Sequence, residues 1–197
     1  MINFKKNVQI QLPYDRAKYI EYLEDDVEST CRWYGVSFQL PDVFEGKDIG
    51  LEVFLENYED WFKNIIEQLD NGSSWIINHD TYDVKWFPNR QNNLKTLRAL
   101  FRKNHIRNTF KGGVILMKDE LLKYTKDIIS YPYGVCNRKG YLYENLDISH
   151  KQLSFIIKIS GHLTIDLLSL DKELLKRIVN ENSSNQFIIR KYRGTEL

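Results

Sequence analysis

Apolar residues recur at helical spacing in several segments of the chain. A helix is predicted over 14–34 and ends at Gly35, since glycine often terminates helices. Its apolar face carries Ala17, Ile20, Leu23, Val27 and Cys31. A wider apolar stripe predicts a second helix over 50–69, so the first third of the chain is expected to be a helical pair. Further helices are predicted over 94–104, 118–130 (which must stop before Pro132) and 171–180.

Alternating or short apolar runs predict strands in the rest of the chain. These strands cover 74–78, 109–117, 141–149, 153–160, 162–170 and 186–192. The pattern predicts an α+β fold with a helical N-terminal third, followed by a small, mostly antiparallel sheet with packed helices. We expect one domain over 1–197, with a helical acidic subregion (1–70), a basic mixed subregion (71–140) and a sheet-rich subregion (141–197).

The hairpin formed by 153–160 and 162–170 allows a prediction of strand register. A three-residue turn at 159–161 pairs Ile157 with Leu163 and keeps both apolar rows on one face. Gly161 then takes the left-handed position that such turns favour. A two-residue turn would instead place Ile157 opposite Thr164, which buries a polar group against the apolar row.

Composition narrows the class of protein. The chain has 197 residues, of which 42% are hydrophobic and 13% aromatic, and this suffices for a substantial core. No apolar run suits a signal peptide or a membrane helix. Cys31 and Cys136 lack metal-binding spacing and are predicted to be reduced thiols, so we expect a cytoplasmic protein that does not contact membranes.

Charge is sorted along the chain. Residues 1–70 hold 7 basic and 15 acidic residues, a net of −8, whereas 71–140 hold 13 and 5, a net of +8. No acidic residue lies between Lys85 and Lys118. The formal total of +1 therefore hides two blocks of opposite sign, which bear on binding partners rather than on reaction chemistry.

The acidic block suggests recognition of a basic protein. Carboxylates there alternate with aromatic residues, and such surfaces combine electrostatic steering with buried anchors. The predicted binding residues are Tyr19, Glu21, Tyr22, Glu24, Asp25, Asp26, Glu28 and Trp33. Our leading hypothesis is a non-catalytic binding protein, most concretely an inhibitor or immunity-type protein that neutralises a basic partner such as a nuclease toxin.

The basic block suggests two alternatives. Basic side chains along the predicted helix and beyond it are expected to follow a phosphate backbone, at Lys95, Arg98, Arg102 and Arg107. Trp86 and Phe87 are placed to stack on bases. This is the hypothesis of a nucleic-acid-binding module. Alternatively, the two charge blocks pair with each other inside the fold, and neither forms a recognition surface.

Candidate catalytic residues are sparse, so an enzyme is the less favoured class. His162, Thr164 and Asp166 alternate on one strand, where His162 and Asp166 suit a base and its orienting carboxylate in a hydrolase or nuclease. His79, Asp80 and Asp83 are three candidate metal ligands within five residues. Both sets also fit ordinary solvent-facing or turn positions. No phosphate-binding loop, nucleophile elbow or zinc-protease pattern occurs, and we predict neither a cofactor nor a metal.

Overall fold

The computed structural model describes residues 2–24, 33–81, 84–88, 94–135 and 145–197. Eight strands within these ranges form one sheet in which all neighbours are antiparallel. The strands are β1 (Asn3–Lys5), β2 (Tyr34–Gln39), β3 (Trp75–His79), β4 (Gly113–Leu116), β5 (Leu146–His150), β6 (Phe155–Ser160), β7 (Thr164–Ser169) and β8 (Ile188–Lys191). Their order across the sheet is β1-β4-β3-β5-β6-β7-β2-β8.

Helices lie between the strands along the chain. They are α1 (Arg16–Leu23), α2 (Pro41–Phe44), α3 (Leu51–Gln68), α4 (Lys95–Lys103), α5 (Lys118–Lys123), α6 (Thr125–Ile129), α7 (Tyr131–Gly134) and α8 (Lys172–Asn182), with a short 3-10 helix at Val8–Gln11. None of the helices that the structure describes is long and apolar enough to cross a membrane.

The main core lies between one face of the sheet and helices α3, α4, α6 and α8. Phe38, Ile157 and Leu167 project from this face and are fully buried. Helix α3 is fixed above them because Tyr58 donates a hydrogen bond to the carbonyl of Phe38 (2.7 Å). Burial of an apolar side chain of this size contributes about 1.5–3 kcal/mol. This layer therefore supplies most of the apolar burial that holds the fold together.

The opposite face of the sheet carries a polar row, which lies partly beneath α1. Strand pairing places Asn78, Asp147, Lys158, Asp166 and Ser37 side by side across five strands. The Lys158 Nζ lies 2.6 Å from Asp80 Oδ2 and 3.5 Å from Asp147 Oδ1. Buried polar groups need partners, and this row supplies them laterally.

Burial is the largest single influence on the pKa values of the charged residues in the polar row. It raises the pKa of both Asp147 and Asp166 above the usual carboxyl range. Burial alone would lower the pKa of Lys158, but Asp147 and Asp80 outweigh this effect and the pKa is raised. Lys158 is thus held in its charged form by Asp147 and Asp80, although burial raises the pKa of Asp147 itself.

The expectation of a helical N-terminal third and a small sheet is wrong. Strands begin at residue 3, and α1 covers only Arg16–Leu23, where the Asp15 side chain caps its first turn. From Tyr34 onward the chain is a strand, because apolar residues there alternate with small or polar ones. Gly35 lies in that strand beneath Tyr192, where an added Cβ would approach the ring to 2.9 Å. The α+β class itself is confirmed.

The β6–β7 hairpin has a three-residue turn, as expected, but the turn lies at 161–163 instead of 159–161. Ser160 pairs with Thr164, and Ile157 pairs with Leu167 rather than with Leu163. The left-handed residue is Leu163 (φ 62°), not Gly161. Leu163 packs against the main core, and this contact accounts for a leucine in a conformation that disfavours side chains.

The predicted end of a helix before Pro132 is also wrong. Three short helices replace the single one expected, and α7 contains Pro132 at its second residue. Proline is tolerated there because the first turn of a helix does not use its backbone N–H groups.

Candidate functional site

Helix α4 presents basic side chains on the surface of the basic block. Its inner side buries Leu97, Leu100 and Phe101 in the main core. The helix has no acidic residue in its first turn, and Asp127 of α6 instead accepts a hydrogen bond from the Leu97 amide (2.8 Å). This contact satisfies one of the unpaired amides at the helix start and fixes α4 on the core.

Exposed cations without carboxylate partners extend from α4 to neighbouring segments. We call this set the basic face; its members are Lys6, Lys85, Lys95, Arg102, Lys103 and Arg107. None of them forms an ion pair with any residue that the structure describes. Arg98 differs because it is half-buried, with its guanidinium 4.4 Å from the centre of the Phe87 ring. Burial and the nearby Arg102 lower the pKa of Arg98.

The turn after α4 brings the residues that follow it close to the N-terminal segment that contains Lys6. Ile106 N–H donates to the Phe101 carbonyl (2.9 Å) and His105 N–H to that of Arg102 (3.0 Å), which together form a Schellman motif. His105 occupies its left-handed position (φ 57°), where glycine is usual. Residues held in unfavourable backbone conformations often cluster at functional sites.

We expect His105→Gly to raise the free energy of unfolding by about 0.5–1 kcal/mol, because glycine adopts a positive φ without a steric penalty. Chemical denaturation followed by circular dichroism measures this change. His105→Ala is the matched control, since it keeps the strain while removing the imidazole. A gain of equal size in both variants would show that the imidazole, and not the backbone, is unfavourable.

A basic cleft of about 680 Å³ opens beside this turn. The described residues of its lining include no carboxylate; they are Lys6, Asn7, His105, Ile106, Arg107, Thr109, Phe110 and Lys111. Residues about a hundred positions apart in the sequence meet here, because β1 pairs with β4. Lys85 is next to the cleft, since it forms an isolated β-bridge with Lys111.

Gly112 permits the close approach that forms the cleft. Its φ of +125° is open only to glycine, and an added Cβ would lie 2.3 Å from the carbonyl oxygen of Lys5. The segment that carries Lys111 therefore runs directly against the one that carries Lys6. Two cations are thereby placed on one cleft.

A smaller inner cavity of about 190 Å³ adjoins the basic cleft and shares Lys6, Asn7 and Lys111 with it. Asn78 and His79 of β3 line its inner end. His79 Nε2 lies 2.8 Å from the Tyr131 hydroxyl, which donates to the carbonyl of Trp86. Since that hydroxyl already donates, His79 must carry its proton on Nε2. Burial lowers the pKa of His79 to about 4, so the ring is neutral at physiological pH.

The candidate catalytic residues do not assemble into a site. His162 is exposed in the β6–β7 turn, whereas Asp166 is buried and accepts a hydrogen bond from Tyr192 (2.8 Å). No hydrogen bond joins His162 to Asp166, both of which the structure describes. Asp166 lines a cavity of about 420 Å³ with Lys158, but its two oxygens accept hydrogen bonds from Thr164 and Tyr192.

All but Asp80 of the other candidate ligands and stacking residues that the structure describes are buried. His79 is bonded to Tyr131, and Asp83 lies outside the described residues. Within the described ranges no group of three or more His, Cys, Asp or Glu side chains is placed to hold a metal ion. Trp86 and Phe87 were predicted to stack on bases, but both are buried in the main core.

The acidic–aromatic residues are divided between core and surface. Tyr19 is fully buried and donates a hydrogen bond to Asp147 (3.1 Å), and Trp33 is 3% exposed. Tyr22 is half-buried and stacks on Tyr192. Glu21 and Glu24 are exposed. The remaining residues of this set, Asp25, Asp26 and Glu28, lie outside the described residues.

The two charge blocks are largely separate in the described parts of the chain. Acidic residues of α2 and α3 pair with the local lysines Lys47 and Lys63. Between described residues of the two blocks, one ion pair occurs, Asp70 with Lys118 (2.7 Å). Among the residues that the structure describes, no ion pair neutralises the basic face.

No family model, no curated protein and no solved structure matches this chain. Function must therefore be inferred from the site itself. Sequence reasoning identified the basic residues of α4 and the residues after it, including His105, but missed Lys6 and Asn78. Only the β1–β4 and β3–β4 pairings bring these residues to one place.

Proposed function

We propose that this protein binds nucleic acid through its basic face and basic cleft. One observation carries the proposal: six exposed cations have no described ion-pair partner, and two of them, Lys6 and Arg107, line a cleft whose described lining includes no carboxylate. Phosphates supply the missing counter-charge, and each neutralised phosphate adds affinity through release of bound counterions. Helix α4 rises about 1.5 Å per residue, so Lys95 and Lys103 span about 12 Å of surface along its axis.

The role of Arg98 differs from that of its neighbours. Its guanidinium stacks on Phe87 within the fold, so it stabilises α4 and is not a principal phosphate contact. The phosphate contacts are assigned to Arg102, Arg107 and Lys6, which are exposed at the end of α4 and around the cleft.

Charge reversal tests the proposal. We expect Arg102→Glu with Arg107→Glu to weaken binding of a labelled single-stranded oligonucleotide by at least roughly 25-fold near 0.1 M salt, since each phosphate contact contributes about fivefold there. Fluorescence anisotropy measures the change. The matched control is Lys176→Glu with Arg177→Glu on the exposed side of α8, which packs on β7 and β2 at the other end of the sheet. Equal losses in both double variants, or no binding by the wild type, would contradict the proposal.

Inhibition of a basic protein stays a prediction. Glu21 and Glu24 are exposed and suit such a partner, but Tyr19 and Trp33 are buried and offer it no anchor in this conformation. An inhibitor of this kind has no reason to bind the oligonucleotide, so the same assay separates the two hypotheses.

A further inference from the structure

Asn78 has an unused hydrogen-bond acceptor in the wall of the inner cavity. The residue is 3% exposed, and its Nδ2 donates to the carbonyl of His79 (2.8 Å), which fixes the orientation of the amide. Its Oδ1 accepts no hydrogen bond from any residue that the structure describes. A buried acceptor without a donor is costly and rare in folded proteins. The arrangement therefore suits a ligand that brings an N–H or O–H group into the cavity.

The surroundings of Asn78 restrict the chemistry of that ligand. Arg16 also lines the cavity, so its inner end offers the carbonyl-type acceptor of Asn78 beside a guanidinium. The His79 ring lies on the other face of β3, against Tyr131 and Trp86. Val8 and Val84 add apolar contact. Lys6 and Lys111 stand where the cavity joins the basic cleft. A matching ligand brings a hydrogen-bond donor to Asn78, acceptors to Arg16, and an anionic group to the lysines at the cleft.

The size of the cavity fits a flat heterocycle better than a single solvent molecule. Its volume of about 190 Å³ is several times the roughly 30 Å³ that one water occupies in the liquid. Inorganic phosphate matches the cations but offers mainly acceptors to the Asn78 oxygen. A nucleobase offers an exocyclic amine or a ring N–H, and single-stranded bases are commonly turned outward into protein pockets.

We propose that the inner cavity receives the base of one nucleotide, which donates a hydrogen bond to Asn78 Oδ1 while its phosphate lies between Lys6 and Lys111. This inference rests on the proposed function and specifies its ligand as single-stranded nucleic acid or a free nucleotide. The chemistry recognised is the same for both sources. Because all common bases carry a donor, the site selects for the presence of a base rather than for one sequence.

The first test uses wild-type protein alone and compares a single-stranded oligonucleotide with an abasic strand of equal length. We expect the base-containing strand to bind roughly tenfold more tightly, with the same salt dependence, because the phosphate contacts are shared. Equal affinity for the two strands would overturn the base site and leave nucleic-acid binding intact. Failure of both strands to bind would instead overturn the proposed function.

The second test uses Asn78→Leu, which removes the acceptor at nearly constant volume. The His79 carbonyl keeps a hydrogen bond from Arg16 Nη2 (2.8 Å), so we expect the variant to fold, as thermal unfolding will show. The preference for the base-containing strand should disappear, whereas Asn180→Leu on exposed α8 should retain it. A preference that survives in Asn78→Leu would overturn the assignment of Asn78.

A third comparison distinguishes the two sources of ligand. Adenosine monophosphate and ribose 5-phosphate are titrated against the wild type. If the wild type binds adenosine monophosphate more tightly than ribose 5-phosphate and Asn78→Leu does not, the site accepts free nucleotides as well as strands. Equal binding of the two compounds, together with equal binding of the two strands, overturns the proposal for both.

Discussion

Replacement of Lys158 by methionine is expected to lower the free energy of unfolding by about 3–5 kcal/mol at neutral pH. The lysine side chain is 7% exposed and forms ion pairs with both Asp80 and Asp147. Without it, these two carboxylates are left in a buried site and must either ionise without Lys158 or take up protons. Removal of one member of a buried charge cluster is far more damaging than loss of a surface pair.

Urea denaturation of wild type and variant measures this difference. Lys63→Met is the matched control, because Lys63 also contacts two carboxylates, Glu59 and Asp60, but at the surface of α3. Its cost should stay within about 1 kcal/mol. Adding Asp80→Asn and Asp147→Asn to Lys158→Met should restore much of the lost stability. A Lys158→Met variant as stable as Lys63→Met would show that the row is not a buried charge cluster.

Acidification is expected to destabilise the protein through His79 by about 3 kcal/mol between pH 6.5 and pH 4. The pKa of His79 is about 4 in the folded chain, against 6.5 for an ordinary histidine. Above pH 6.5 the ring is neutral in both states and its full contribution is present. As the pH falls, the unfolded chain takes up a proton that the buried ring refuses, so stability is lost down to about pH 4.

The comparison with His79→Gln isolates this effect. The raised pKa values of Asp147 and Asp166 act in the opposite sense, because folded carboxyls that hold protons gain stability on acidification. The difference between the unfolding free energies of wild type and His79→Gln cancels these contributions. That difference should shrink by about 3 kcal/mol from pH 7 to pH 4. Parallel pH profiles would mean that His79 is not desolvated in the folded state.

Sequence periodicity located the helices that cover the main core. The predicted ranges 50–69, 94–104 and 171–180 correspond to α3, α4 and α8 within one or two residues at each end. Each of these helices packs one wide apolar face on the main core. The spacing of apolar residues predicts helices of this kind most reliably. The apolar rows of β6 and β7 were also placed on one face, although the turn between them was misplaced.

The predicted first helix extends too far along the chain, because the spacing of apolar residues changes from that of a helix to that of a strand without an intervening turn signal. Val36, Phe38 and Leu40 alternate with Gly35 and other small or polar residues, which is the period of a strand. That signal was present in the sequence, but Gly35 was interpreted as a helix terminator. In the structure it is a strand residue beneath an aromatic ring.

The polar row and the inner cavity depend on information that one sequence does not contain. A lone Lys158 within an apolar strand indicates a buried charge, yet its partners follow only from the register of β5, β6 and β7. The basic cleft requires Lys6 to meet Lys111 through the β1–β4 pairing. Long-range strand order sets both arrangements, and no local pattern encodes it.

The salt dependence of oligonucleotide binding tests nucleic-acid recognition by the basic face most directly. With about four phosphate contacts, the logarithm of the association constant should fall with the logarithm of salt concentration at a slope near −3 for a single strand. Arg102→Glu with Arg107→Glu should reduce that slope by about 1.4, and the control pair on α8 should leave it unchanged. A wild-type slope near zero, or one that the Arg102 and Arg107 reversals do not alter, would contradict a phosphate-binding role for this surface.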